Sequence, residues 1–252
     1  MNYKKNLVTI IITYYKKKNF IEATIKSILK QDYHFYEIIL VYDDANKNDL
    51  KYIVSLLDQF ALKKIIINKK NLGVAKSRNL AKKFSKGEYL AFIDSDDLWK
   101  KNKLTYQIQF MKKKSSLISF TSYEVLGKKN LILKKNLVTK DPDYKNLSKS
   151  NFIGLSTVMV HRKILPMIKF PNLKTQEDFG LWLKLLRQGV KFNHIKKSLT
   201  YWRQTDNSLS SKTYDKIRDA FCLYYFYEKK NLINSIFSVI VLSYYKIIKK
   251  LK

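Results

Sequence analysis

Cysteine, histidine, proline and glycine are all scarce in this 252-residue chain, and the shortages close off whole classes of protein. The one cysteine, Cys222, cannot form an intrachain disulfide, so a small stapled fold is excluded and a reducing compartment fits. Three histidines, His34, His161 and His194, are too scattered to complete a zinc site with that single thiol. The first of the six glycines is Gly73, far past the opening strand, which removes the glycine-rich loops of dinucleotide folds and P-loop enzymes. At the N-terminus there is neither a long apolar stretch nor a small-residue cleavage site, and a cytoplasmic, unexported protein is expected.

Acid is scarce too. Fifty Lys and Arg stand against 20 Asp and Glu, a formal net charge of +30. Such a balance favours polyanions or an anionic membrane face, but it also follows from a chain rich in Lys, Asn, Ile, Tyr and Phe, the residues of AT-rich codons. Only five of the basic residues are Arg, and neither Arg nor aromatics gather in one patch, so no specific nucleic-acid partner is expected.

What the chain does have is a core. With 46% hydrophobic and 14% aromatic residues, it can form one large α/β domain, alone or with a short appendage. Apolar β-branched runs at 7–13, 37–42, 65–67 and 88–93 read as strands. Helical spacing follows at 20–29, 50–60 and 74–84. Units of about 25 residues imply right-handed crossovers and a mainly parallel sheet. Past Trp99 the rhythm changes: a helix at 104–111, antiparallel strands at 117–125 and 131–133 about Gly127, a polar loop at 141–151, a strand at 157–160, a helix at 179–186 ending before Gly189, and a strand at 198–202. From Tyr214 the pattern is helical to the end.

Among the 20 acids three groups stand out: Asp43-Asp44, Asp94/Asp96/Asp97 and Glu177-Asp178. Two of these follow strands directly, at the carboxyl edge where open α/β sheets bind ligands. Adjacent carboxylates repel one another unless a cation compensates, so Asp-Ser-Asp-Asp at 94–97 points to a divalent ion, and oxygen-only ligands point to Mg²⁺ or Mn²⁺. The plainer alternative is a solvated turn with helix-capping aspartates. The first turn, TYYKKK at 13–18, offers a ring and a hydroxyl for a nucleobase, with Asp44 placed to accept from a ring N–H.

In order and spacing, the segments VTIIITYY (8–15), SILKQ (27–31), EIILVYDD (37–44), NLGVAKSRN (71–79), GEYLAFIDSDDLW (87–99), EDFGLW (177–182) and YWR (201–203) resemble the family 2 glycosyltransferases. The resemblance covers residues 7 to 210. It implies a GT-A type nucleotide-diphospho-sugar transferase fold, with a catalytic domain over 1–210 (nucleotide-binding half about 1–99, acceptor half about 100–210) and a C-terminal helical extension over 211–252. It implies further that Thr13, Tyr15, one of Asp43 and Asp44, Arg78, Asp94, Asp96 and Asp97 bind the nucleotide sugar, that Asp96 ligates Mn²⁺ or Mg²⁺, and that Asp178 is the general base of an inverting transfer. A UDP- or dTDP-linked donor and a glycan or lipid-linked glycan acceptor of bacterial surface polysaccharide or lipopolysaccharide go with it.

Departures from the family pattern are Thr13 in place of Pro, Lys16 in place of Asn, Asp-Ala-Asn at 44–46 in place of Asp-Gly-Ser, and Thr205 or Asp206 where many members carry His. A non-catalytic basic protein on an anionic membrane or nucleic acid is the competing reading, but it has no use for carboxylates at strand ends. The apolar stretch 232–248, broken by Asn, Ser and Lys and followed by Lys-Lys-Leu-Lys, suits a helix lying in a membrane interface or packed on protein better than one that spans.

Overall fold

The computed structural model describes residues 3–138, 141–205 and 213–251. The strands β1 (Lys4–Tyr14), β2 (Tyr36–Tyr42), β3 (Lys63–Ile67) and β4 (Gly87–Asp94) alternate with helices α1 (Lys18–Leu29), α2 (Leu50–Leu57) and α3 (Val74–Ala81). All four strands pair in parallel, in the order β3-β2-β1-β4. β1 and β2 read as continuous apolar runs because both of their faces are covered. Val8, Ile10 and Ile12 meet Ile21, Ile25 and Ile28 of α1 and Ile53 and Leu57 of α2. Ile11, Ile39, Val41 and Phe92 belong to the opposite layer, with Ala75 and Ala81 of α3. β1 leads to β2 on one side and has β4 on the other, so a topological switch point opens between the carboxyl ends of β1 and β4.

The second half continues the same sheet with mixed direction. β5 (Leu98–Trp99), α4 (Lys103–Lys113), β6 (Ile118–Leu126), β7 (Ile132–Asn136), α5 (Tyr144–Lys149), β8 (Met159–His161), α6 (Glu177–Arg187) and β9 (Asn193–Arg203) follow in sequence. β8 joins β4 to β6, antiparallel to both. β9 lies parallel to β6, and the short β7 and β5 add antiparallel edges. Last come α7 (Thr213–Cys222), a π-helical turn over Leu223–Tyr227, and α8 (Leu232–Leu251). Leu223 and Tyr224 are fully buried and join the core layer of α6.

Three local expectations change. The polar stretch 141–151 holds a helix, α5, because the Asp143 carboxylate accepts from Asn146 N–H at 2.6 Å and caps it. The strand at 198–202 extends back to Asn193, where pairing with β6 outweighs the polar Lys-Lys-Ser of its middle. Helix is not continuous from Tyr214: Lys229 takes φ 55 and separates the π-helical turn from α8. Among the described residues no helix is long and apolar enough to cross a membrane.

Gly87 opens β4 at a point with no room for a side chain. Its N–H donates to Thr9 Oγ1 at 2.9 Å, and Thr9 in turn donates to the buried Glu37 carboxylate at 2.6 Å. A Cβ there would lie 2.6 Å from Thr9 N and 2.7 Å from Leu7 O, both backbone atoms. Gly87→Ala therefore lowers unfolding free energy by about 1–3 kcal/mol, read as a lower denaturant midpoint; an unchanged midpoint would show that β4 can shift freely against β1.

Candidate active site

The carboxyl ends of β1, β2 and β4 and the N-terminus of α6 converge on one edge of the sheet. β4 ends at Asp94, in register with Thr13 of β1, so the two side chains share a face of the sheet. On that face Arg78 of α3 is buried and donates to Asp94 Oδ1 at 2.6 Å and to Glu177 at the start of α6. Burial opposes the charge of Arg78, but Asp94 and Glu177 outweigh it and hold its pKa above the ordinary value. One guanidinium thus ties the strand-end acid group to the acidic pair that begins 99 residues beyond Arg78 in sequence.

Asp178, next to Glu177, has no ion pair of its own among the described residues. It is partly exposed, and its Oδ1 accepts from Phe179 N–H at 2.6 Å. Burial, reinforced by the Glu177 charge, raises its pKa to about 7, with Arg78 and the Phe179 N–H opposing. A carboxyl titrating there can take a proton at neutral pH, which a general base requires. The loop that delivers it is held from the C-terminal side. Asp219 of α7 accepts from both Thr175 N (2.7 Å) and Thr175 Oγ1 (3.0 Å), and Gln176, at φ 63, donates to Lys216 O at 2.8 Å.

The Asp-Ser-Asp-Asp turn is divided in its duties. Asp97 is buried, accepting from Ser156 Oγ at 2.6 Å and Arg203 N at 2.9 Å; burial, then the Asp96 and Asp94 charges, push its pKa well up. Asp97 therefore braces the turn from inside, together with Ser156, whose Oγ also accepts from Asp94 N–H at 3.1 Å. Asp96 is half-buried and pairs with Lys17 Nζ at 2.7 Å, and Lys17 also donates to Thr205 Oγ1 at 2.8 Å. Burial raises the Asp96 pKa, with Lys17 opposing and Asp94 adding to it. Arg203 of the Tyr-Trp-Arg segment fixes the turn's backbone through Nε to Asp96 O at 2.9 Å.

The pair Asp43 and Asp44 also separates. Both Asp43 oxygens are engaged: Oδ1 by Asn68 Nδ2 and Leu72 N–H, Oδ2 by Gly73 N–H at 2.9 Å. That carboxylate anchors the start of α3, the helix that carries Arg78. Asp44 accepts from Asn46 N–H at 3.1 Å and lines an open cleft of about 480 Å³ with Lys16, Lys17, Lys18, Asn48 and Thr205. Thr13 and Tyr15 are half-buried and do not line this cleft. Lys16, the departure from Asn, has φ 50, a left-handed conformation that Asn tolerates better. Asp206 lies outside the described residues.

Asp94 and Asp96 offer oxygen donors only, each with one oxygen already on a protein cation. Among the described residues no three His, Cys, Asp or Glu side chains converge as a metal cage. Such a donor set fits Mg²⁺ or Mn²⁺, which take one or two carboxylates and complete their shell with phosphate oxygens and water.

The profile of "Glycosyl transferase family 2" matches residues 9–167. The chain belongs to this family. The glycosyltransferase is similar over most of its length to curated bacterial members. One is the "Putative teichuronic acid biosynthesis glycosyltransferase TuaG" of Bacillus subtilis, 32% identical over 222 residues (87% of this chain, 88% of the relative). Another is the "UDP-Glc:alpha-D-GlcNAc-diphosphoundecaprenol beta-1,3-glucosyltransferase WfaP" of Escherichia coli, 34% identical over 215 residues (84% and 82%). The fold is that of S. aureus TarS 1-349, solved in complex with UDP-GlcNAc (TM-score 0.72, 19% identity, 93% of this chain and 70% of that one). It is shared by the mannosyltransferase PcManGT from Pyrobaculum calidifontis, solved with GDP-Man and Mn²⁺ (TM-score 0.68, 13% identity, 89% and 64%). The GT-A architecture expected from the motifs is thereby established.

Lys17, Ser156, Thr175 and Asp219 carried no motif in the sequence; only the spatial partners reveal them. Two outcomes follow from the site's electrostatics. Lys17→Met leaves Asp94 and Asp96 less compensated, so Mn²⁺ added without nucleotide raises the melting temperature of the variant more than that of the wild type; equal shifts would show that Lys17 and the ion do not compete. The Asp178 carboxyl is protonated when folded up to about pH 7 but ionises near 3.8 when unfolded, so raising the pH through that interval costs stability. Asp178→Asn should melt higher than wild type at pH 8, with the difference vanishing near pH 4, as scanning calorimetry at the two pH values would show.

Proposed function

We propose that this glycosyltransferase inverts the anomeric centre of a UDP- or dTDP-linked sugar as it passes the sugar to a hydroxyl of a lipid-linked glycan, in the assembly of a bacterial surface polysaccharide. The observation that carries this reading is Arg78 holding Asp94 and Glu177 at once, because it brings the strand-end carboxylates and the Asp178 carboxyl to one edge of the sheet. The acceptor class follows the undecaprenol-linked substrate in the name of WfaP, and the uridine donor follows the same name and the UDP-GlcNAc complex of TarS. Peripheral contact with the inner face of the membrane goes with such an acceptor.

In the proposed reaction Asp44 accepts from the base of the nucleotide, and Thr13 and Tyr15 flank it from the end of β1. Asp43 does not touch the nucleotide but fixes α3. Asp96, with Asp94 beside it, would hold Mn²⁺ or Mg²⁺, and the chemistry such an ion would supply when bound is charge neutralisation of the departing diphosphate. Arg78 orients Asp94 and opposes the rise that burial imposes on the Glu177 pKa, while Asp97 keeps the turn rigid from within. Asp178 removes the proton of the acceptor hydroxyl, whose oxygen forms a bond to the anomeric carbon on the face opposite the breaking bond to phosphate. The Lys16, Lys17 and Lys18 side chains around the cleft supply a positive field for a dianionic donor.

A panel of nucleotide sugars incubated with the protein and Mn²⁺ should show release of one nucleoside diphosphate above the rest. Asp96→Asn should reduce that release by about two orders of magnitude or more and weaken Mn²⁺-dependent nucleotide binding. Asp178→Asn should cut transfer by about 10²–10⁴ with donor binding kept. Near-normal transfer by Asp178→Asn would assign the base elsewhere, and undiminished Mn²⁺ dependence in Asp96→Asn would remove the metal from this turn.

A further inference from the structure

One apolar surface of the molecule has no use in the site. α8 is anchored on one side only: Val239 and Leu242 pack against the core layer of α6, and Ser235 is buried with its hydroxyl on Asn231 O. The opposite side carries Ile233, Ile236, Phe237, Ile240, Tyr244 and Ile247, which recur every three or four residues and are all exposed, Ile233 at 78% and Phe237 at 64%. At 1.5 Å per residue the helix is about 30 Å long. Its outer stripe is a continuous apolar strip on the surface, larger than the scattered apolar residues of an ordinary exterior.

The charges say what this strip faces. Residues 229–252 contain six lysines, Lys229, Lys230, Lys246, Lys249, Lys250 and Lys252, and no acid. None of the six lies between 231 and 245, so the apolar stretch is bracketed by positive ends. A second copy of the chain laid on the strip would bring lysine-rich ends together between two bodies of net charge +30. An anionic lipid surface reverses that sign and buries the same stripe.

We infer that α8 is a membrane-docking helix, lying parallel to an anionic bilayer with Ile233, Phe237, Ile240 and Tyr244 among the headgroups and the positive charge at its two ends drawn to the lipid phosphates. The inference stands on α8 alone. Together with the proposed reaction on a lipid-linked acceptor, it places the enzyme and the acceptor in one plane.

The test is flotation of the full chain with vesicles of about 30% phosphatidylglycerol in phosphatidylcholine at about 0.1 M salt. It compares wild type with the exposed-face variant Ile233→Ser/Phe237→Ser/Tyr244→Ser, using donor hydrolysis without vesicles as the check that the fold and the site are intact. The wild type should float and the variant's floated fraction should fall at least tenfold, with hydrolysis equal in both. Equal flotation would mean that surface lysines bind by charge alone, and a wild type that stays at the bottom would mean no docking; either overturns the inference. So would light scattering that finds a wild-type dimer turned monomeric by the triple substitution. Loss of hydrolysis by wild type would count against the proposed donor chemistry and leave the flotation result standing.

Discussion

Arg78 is the constraint on which the site depends. A guanidinium buried between two carboxylates survives only if both stay within hydrogen-bond reach, because removing either leaves an uncompensated charge inside the protein. The requirement runs backwards through the fold. Arg78 is where it is because α3 begins at Gly73, and α3 begins there because Asp43, at the end of β2, collects the N–H groups of Leu72 and Gly73. It also runs forwards, since Glu177 can meet Arg78 only if α6 starts at that point, and Asp178 is then set at the same edge. Four elements separated widely in sequence are fixed by one small set of charge-assisted hydrogen bonds.

Much of this was readable in advance, for a physical reason. Parallel strands covered on both faces leave unbroken apolar runs, and acids are so rare here that their appearance directly after β2 and β4 is informative in itself. The motif order carried the fold because most of its segments sit at strand ends or helix termini, where local geometry restricts the choice of residue. What could not be read were the partners. Lys17 is one of three consecutive lysines, and nothing local distinguishes the one that reaches Asp96 and Thr205. Ser156 is 59 residues from the carboxylate it braces. The two-residue β5 and the capped α5 are too short to develop a period.

The adjacent-aspartate pairs illustrate how a motif can blur function. Asp43 and Asp44 are indistinguishable as letters, yet strand alternation sends one beneath the sheet edge to organise backbone and leaves the other on the cleft wall. Asp96 and Asp97 divide in the same way, one toward Lys17 and one toward Ser156. In each pair one member is tied into the fold by backbone and side-chain donors, and the other stands at the cleft or on a lysine.

Asp219 reaches across from α7 to hold Thr175, just ahead of the acidic pair. In the order of synthesis β1 to β4 and the residues of the Asp-Ser-Asp-Asp turn come well before α7. Until residues near 219 have folded back, the loop bearing Asp178 has no anchor on that side, so the place of that carboxyl is set only once the chain beyond the sheet has docked.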